Sequence, residues 1–230
     1  MDASSQYWTA VALGAACGVA ACVIARRSPG RPAVYVGRAI SAVLVADAIT
    51  FVLRPAFVGS WSARTSLPLN LCDVALVIAA VVCWFPRWQF GVELTYFWGM
   101  AGTLQGVITP DLTASFPDME FFEFVVGHVA IVIAALYLVV GLRRAPRRGS
   151  VAWVFATTAV YTGFVGLFDW LADANYMYLA RIPGRTSLLS VLGPWPWYLA
   201  SAAGVAVVLF AVLDAPFRIR RAPVSTVTPR

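Results

Sequence analysis

Apolar residues gather along this chain into seven runs of crossing length: Tyr7–Ala25, Val34–Leu53, Leu67–Phe85, Phe90–Val107, Phe121–Gly141, Val151–Leu171 and Trp195–Leu213, each 18 to 21 residues long. About 20 predominantly apolar residues cover the hydrocarbon of a bilayer as a helix, and a helix satisfies its own backbone there. The pattern predicts an all-α, polytopic membrane protein, a seven-transmembrane-helix bundle. The longest connection, Ala172–Pro194, has 23 residues, too few for a separate soluble domain. Residues 1–230 therefore read as a single integral membrane domain. The first run is preceded by Asp2 and by no basic residue, so it lacks the cationic start of a signal peptide and reads as helix one.

Composition sharpens this picture. The chain is 60% hydrophobic and 12% charged with a mean hydropathy of +0.78, whereas soluble domains carry about 25% charged residues. All 17 basic residues are arginine. Without lysine there is no Schiff base, which excludes retinal and pyridoxal chemistry. One histidine and four scattered cysteines with no CxxC pair give neither a usual zinc site nor a disulfide framework. No metal and no cofactor are expected.

Arginine placement predicts orientation. Arg26, Arg27 and Arg31, then Arg87, then Arg143, Arg144, Arg147 and Arg148, then Arg218, Arg220, Arg221 and Arg230 fall in alternate connections, against Arg54, Arg64, Arg181 and Arg185 in the others. Short Arg-rich loops stay cytoplasmic, so the N-terminus is expected outside and the C-terminus in the cytoplasm. These clusters read as topology determinants touching anionic headgroups and give no reason to expect nucleic acid. Tyr7, Trp8, Trp84, Trp88, Trp195 and Trp197, near span ends, read as interfacial belts.

Polar side chains inside a bilayer are costly, so their depth carries information. At a rise of about 1.5 Å per residue, Cys72 is expected roughly 8 Å and His128 roughly 10 Å below the outer starts of spans three and five. Asp47, Asp73, Gln105, Thr109, Glu123 and Asp169 are expected at the same end, with Asp173 and Asn175 just beyond. Together they describe a polar pocket opening toward the outer leaflet. Cys17, Cys22 and Cys83 read as small hydrophobes. For Cys72 and His128 two readings stand side by side. They are structural, a small hydrophobe and an interhelical hydrogen bond, or they are a thiol nucleophile and its general base. Asp47, Asp73, Glu123 and Asp169 compete as the acid that orients His128, and each can instead pair with Arg54, Arg64 or Arg181.

Three stretches carry a resemblance: Leu67-Pro68-Leu69-Asn70-Leu71-Cys72-Asp73; Gly106-Val107-Ile108-Thr109-Pro110-Asp111-Leu112 with Phe121-Phe122 and His128 after it; and Ala174-Asn175-Tyr176-Met177-Tyr178-Leu179 followed by Ser187-Leu188-Leu189 and Leu192-Gly193-Pro194-Trp195-Pro196-Trp197-Tyr198. In this order they resemble the YwaF-like family of bacterial integral membrane proteins, which is similar in turn to the animal transmembrane protein 164, regarded as a lipid acyltransferase. The resemblance implies a multi-pass protein of the cell membrane, here a bacterial plasma membrane. It puts the family's cysteine on Cys72 and its histidine on His128.

The chemistry so implied is lipid acyl transfer through an acyl-cysteine intermediate on the outer-leaflet side, with membrane phospholipids or lysophospholipids as substrates. Cys72 and His128 are the expected catalytic pair. Asn70, Gln105 and Asn175 are the expected neutral donors to an oxyanion, with Asp73, Thr109 and Asp169 as orienting or substrate-binding groups. The Thr109-Pro110-Asp111 turn and the Asn175-Tyr176 segment are expected to form the lip of the pocket. The alternative is a non-enzymatic membrane protein, a transporter or a binder of lipid or a small ligand, that uses the same pocket.

Overall fold

The computed structural model describes residues 3–182 and 188–219. Among them there are helices and no strands. The elements are α1 (Ala3–Arg27), α2 (Arg31–Phe57), α3 (Leu71–Trp84), α4 (Gln89–Phe97), α5 (Leu104–Ile108), α6 (Met119–Leu136), α7 (Ser150–Ala172) and α8 (Trp197–Ile219). A π-helical turn at Trp98–Thr103 joins α4 to α5, and another at Tyr137–Gly141 extends α6. The described residues thus form seven helical rods.

Five of these rods are long and apolar enough to cross a membrane: those of α1, α2, α6 with its π-helical extension, α7 and α8. The third apolar run is shorter as a helix than its sequence suggests, because Leu67-Pro68-Leu69 is not helical. Its backbone is bound elsewhere: the Leu67 N–H donates to the Tyr176 hydroxyl at 2.9 Å, and the Tyr161 hydroxyl donates to the Leu69 carbonyl at 2.9 Å. Helix α3 then starts at an Asn70 N-cap, whose own N–H is taken by the Asp73 carboxylate three residues on, a capping box. The seventh rod begins at Trp197, two residues later than the apolar run, and continues to Ile219.

Buried small residues bring the helices close, as expected where packing rather than water drives association. Ala75, Ala79, Ala134 and Ala135 are fully buried where α3 and α6 meet, beside Phe97, Ile131 and Leu138. Gly37 of α2 lies so close to the Tyr137 hydroxyl that a Cβ there would be 2.6 Å from it, and that hydroxyl donates to the Ala33 carbonyl at 2.8 Å. The outer faces are apolar: Leu13 is 65%, Val160 76% and Trp170 79% exposed. A surface of this kind suits lipid contact rather than water.

One end of the bundle is held by charge. Glu93 is fully buried on α4 and accepts bonds from the Arg147 N–H, Nε and Nη2 at 2.8, 2.9 and 2.8 Å. Arg218 of α8 donates to the Arg147 carbonyl and pairs with Asp214. The opposite end carries Asn70, the 109–118 connection and residues 173–182. That end holds the polar groups expected from depth.

Candidate active site

Cys72 is the second residue of α3 and is half-buried. Its thiol contacts the Asp73 Oδ1 at 3.7 Å. The other Asp73 oxygen accepts from the Asn70 N–H at 2.9 Å and from Asn70 Nδ2 at 3.1 Å. Asn70 in turn accepts the Met177 N–H at 3.1 Å on its Oδ1, which ties the start of α3 to the segment after α7. Met177 and Tyr178 both have left-handed backbones, with φ of 53° and 57°, a conformation that costs a side-chain-bearing residue on the order of 1–2 kcal/mol. Three bonds hold them there: the one from Asn70, the Tyr178 hydroxyl to Asp111 Oδ2 at 2.8 Å, and the Tyr198 hydroxyl to the Tyr178 carbonyl. Burial first, and the Asp111 bond second, push the Tyr178 phenol well above its ordinary pKa, so it stays a hydrogen donor.

His128 stands on α6 in the turn after Phe124. Its Nδ1 lies 2.8 Å from the Phe124 carbonyl, and its ring stacks on that of Phe124 with centroids 4.1 Å apart. A carbonyl only accepts, so Nδ1 carries the hydrogen, and in the neutral ring Nε2 keeps a free lone pair. Across from it is Gly106 of α5, where a Cβ would lie 3.1 Å from His128 Cδ2 and 3.4 Å from Nε2. One turn earlier, Gly102 faces Leu71, with 3.7 Å from its Cβ position to the Leu71 Cδ2. A single edge of the fourth rod is therefore flanked by His128 and by the residue next to Cys72. Thiol and imidazole are not hydrogen-bonded to each other, and catalytic bonds are often long before substrate arrives.

Among the described residues, none of the acids expected to compete for His128 bonds to its ring. Glu123 is bound by Arg54 Nε at 3.0 and 2.8 Å, and the same arginine reaches Glu120 at 3.0 Å, a bridge from α2 to α6. Asp169 accepts the Tyr176 N–H at 3.0 Å and keeps its Oδ2 buried without a partner. Asp73 caps α3. Asp47 is buried on α2, with its Oδ2 2.5 Å from where a Gly127 Cβ would be. A backbone carbonyl, not a carboxylate, thus orients the imidazole.

The sequence model of the TMEM164 family matches residues 3–214. The chain belongs to the TMEM164 family. Its likeness to transmembrane protein 164, drawn above from three motifs, is thereby borne out. No curated protein and no solved structure matches the chain. Membership of the TMEM164 family and the five apolar helices fit a membrane protein.

The remaining polar residues of this TMEM164 family member divide by what they touch. The half-buried Gln105 side chain makes no hydrogen bond among the described residues. Thr109, just past α5, is exposed and donates to the Gln105 carbonyl at 3.0 Å. Asn175 folds its own loop, donating to the Arg181 carbonyl at 3.1 Å and accepting from the Ala180 and Arg181 N–H groups. Of the three expected neutral donors, Gln105 is unengaged, Asn70 has one amide hydrogen left, and Asn175 is turned to its loop. Among the described residues no group of three or more His, Cys, Asp or Glu side chains is arranged to hold a metal. Sequence reasoning missed Gly106 and Gly127 as contacts of the site, and Tyr161 and Phe124 altogether. Gly106 and Tyr178 stood inside quoted motifs, while Tyr161 and Phe124 act through geometry that no local pattern announces.

Proposed function

We propose that the protein is a membrane-embedded lipid acyltransferase, a transacylase working through an acyl-cysteine intermediate. The observation that carries this reading is the placement of His128: with Nδ1 on the Phe124 carbonyl, its Nε2 lies against Gly106, on the same edge of the rod as the Gly102 that meets Leu71 at the start of α3. Family membership supports it. In the first half-reaction Cys72 Sγ attacks the ester carbonyl of a phospholipid while His128 Nε2 takes the thiol proton. The Gln105 amide and the spare hydrogen of Asn70 donate to the tetrahedral oxyanion. Collapse breaks the ester C–O bond, and His128 returns the proton to the departing lysolipid oxygen. In the second half, His128 takes the proton of an acceptor lysolipid hydroxyl, whose oxygen attacks the thioester and releases the thiol.

In this reading all seven rods span a cell membrane, a bacterial plasma membrane, with the N-terminus outside and the C-terminus in the cytoplasm, following the arginine asymmetry. The site then opens to the outer leaflet, beyond the reach of cytoplasmic acyl-CoA, whose charged headgroup would have to cross the bilayer. Phospholipid is the donor. A second reading is favoured by one contact: the thiol sits against Asp73 rather than His128, as in a non-enzymatic binder or transporter of lipid or a small ligand. To separate them, purified protein in detergent is given labelled phospholipid or labelled acyl-CoA in separate reactions. A hydroxylamine-labile adduct from phospholipid, lost in Cys72→Ala, supports transacylation. An adduct from acyl-CoA alone overturns the choice of donor, and no adduct from either leaves the binding reading.

A further inference from the structure

Two hollows flank α3, and they differ in size and in what they offer. The larger, about 760 Å³, is a groove between α2 and α3, lined among others by Ser41, Ala48 and Leu53 on one side and Leu76, Ala80 and Phe85 on the other. The smaller, about 130 Å³, lies among Leu71, Trp98, Gly102, Thr158 and α8. Pockets that enclose an organic ligand begin at about 300 Å³, so of these two the groove has the room for one.

Apart from the Trp84 indole at one end, the groove offers no polar handle. Its one hydroxyl, that of Ser41, already donates to the Ala80 carbonyl at 2.8 Å. From Ser41 to Leu53 it extends about 18 Å along α2 at the rise of a helix, close to the ~15 Å depth of one leaflet's hydrocarbon, half of the ~30 Å bilayer core. Its mouth is lateral: Val45 is 46%, Val77 51% and Val81 42% exposed, so a chain enters sideways from lipid without passing through water. Its inner wall meets the candidate site. Leu76 is one turn after Cys72 on α3, and its Cδ1 lies 3.5 Å from the Gly127 Cβ position, next to His128.

We infer that this groove binds the acyl chain being transferred, with the ester at the Leu76 end, within a helical turn of Cys72, and the terminal methyl toward Trp84 and Phe85. The inference rests on the acyl-transfer reading for its chemistry but not for its occupancy. Groove length then sets chain-length preference. Each buried methylene favours the longer chain by about fourfold, so shortening the groove penalises long chains steeply.

Two measurements test it. In the first, Ala42→Phe, which narrows the end near Ser41, is compared with wild type on phospholipids with 12- and 16-carbon chains. The ratio of 16- to 12-carbon labelling of Cys72 should fall by about tenfold or more, and an unchanged ratio overturns the inference. The second needs no catalysis. The Cys72→Ala protein in phosphatidylcholine vesicles is irradiated with a phosphatidylcholine whose acyl chain ends in a diazirine. Adducts at Val81, Trp84 and Phe85 should exceed those at Val160 and Trp153, outward-facing residues of α7, by severalfold. Equal labelling means bulk lipid only and sinks the inference, as does a protein–protein crosslink through α2 and α3, which assigns the groove to a second copy. Enriched groove labelling without any Cys72 adduct in wild type keeps the chain site and overturns acyl transfer.

Discussion

Gly106 leaves the His128 imidazole free at its Nε2 edge: a methyl group on Gly106 would stand 3.1 Å from Cδ2 and 3.4 Å from Nε2. Gly106→Ala must therefore move the ring by a few tenths of an ångström. Since a misplacement of about 1 Å costs a reaction on the order of a hundredfold, Cys72 acylation by labelled phospholipid should slow by roughly tenfold. Helix content and elution in detergent should not change. Full activity in Gly106→Val would show that Nε2 does not act from this edge.

Loss of the nucleophile and of the base should be distinguishable. Cys72→Ala should abolish any acyl adduct, while Cys17→Ala, Cys22→Ala and Cys83→Ala leave it intact, as read by hydroxylamine-labile label. His128→Ala should slow adduct formation by about 10²–10⁴. Label that persists in Cys72→Ala removes the nucleophile, and wild-type rates in His128→Ala return the histidine to a packing role.

Gly127 and Asp47 should behave as one unit. A Cβ on Gly127 would be 2.5 Å from the Asp47 Oδ2, so Gly127→Ala drives a buried carboxylate out of place at a cost of about 1–3 kcal/mol. In an Asp47→Ala background the same substitution should cost far less, a coupling that a double-mutant cycle reads directly from unfolding in detergent. Additive effects would mean that the two residues do not share the space described.

At the other end, Arg147 and Glu93 should be unequal. Arg147→Ala leaves a fully buried carboxylate without its cation, which typically costs about 3–5 kcal/mol. Glu93→Gln leaves an arginine whose side chain is 57% exposed and can rehydrate, so its cost should be nearer 1 kcal/mol. Thermal unfolding of both variants at one detergent concentration checks the order. The reverse order would show that Glu93 is held by something other than this pair.

Orientation has its own test. A reporter fused after the C-terminus should be active only in the cytoplasm, as the arginine asymmetry requires. Activity on the far side would invert the bundle and turn the site toward the inner leaflet.

The helices were largely legible, because hydrophobic runs of crossing length leave few alternatives. The start of α3 was not: Leu67-Pro68-Leu69 is apolar enough to continue the helix, but Tyr176 and Tyr161, some ninety or more positions away, take up its backbone groups. The π-helical turn at Trp98–Thr103 has no signal in the apolar run either, and Trp98 Nε1 within it donates across to Thr158 of α7 at 2.8 Å. Depth alone brought Cys72 and His128 to one end of the bundle. It gave no means of choosing what binds Nδ1, since a carbonyl one turn back is present in every helix, whereas four acids stood out as letters. Asn70 and Asp73 were marked by their closeness to Cys72, and a capping box accounts for most of their hydrogen bonds.

The bond from the Met177 N–H to Asn70 spans 107 positions of the chain. During synthesis α3 emerges and enters the membrane long before that partner exists, and chains acquire structure from the N-terminal side onward as they are made. The start of α3 therefore waits with its asparagine oxygen unclaimed until α7 has been inserted and the chain has turned back. Asn70 and the nearby Cys72 are thus translated early, while the segment that fixes this turn arrives late. Chains stalled after α6 should therefore react faster with thiol reagents at Cys72 than the finished protein, where that residue is half-buried.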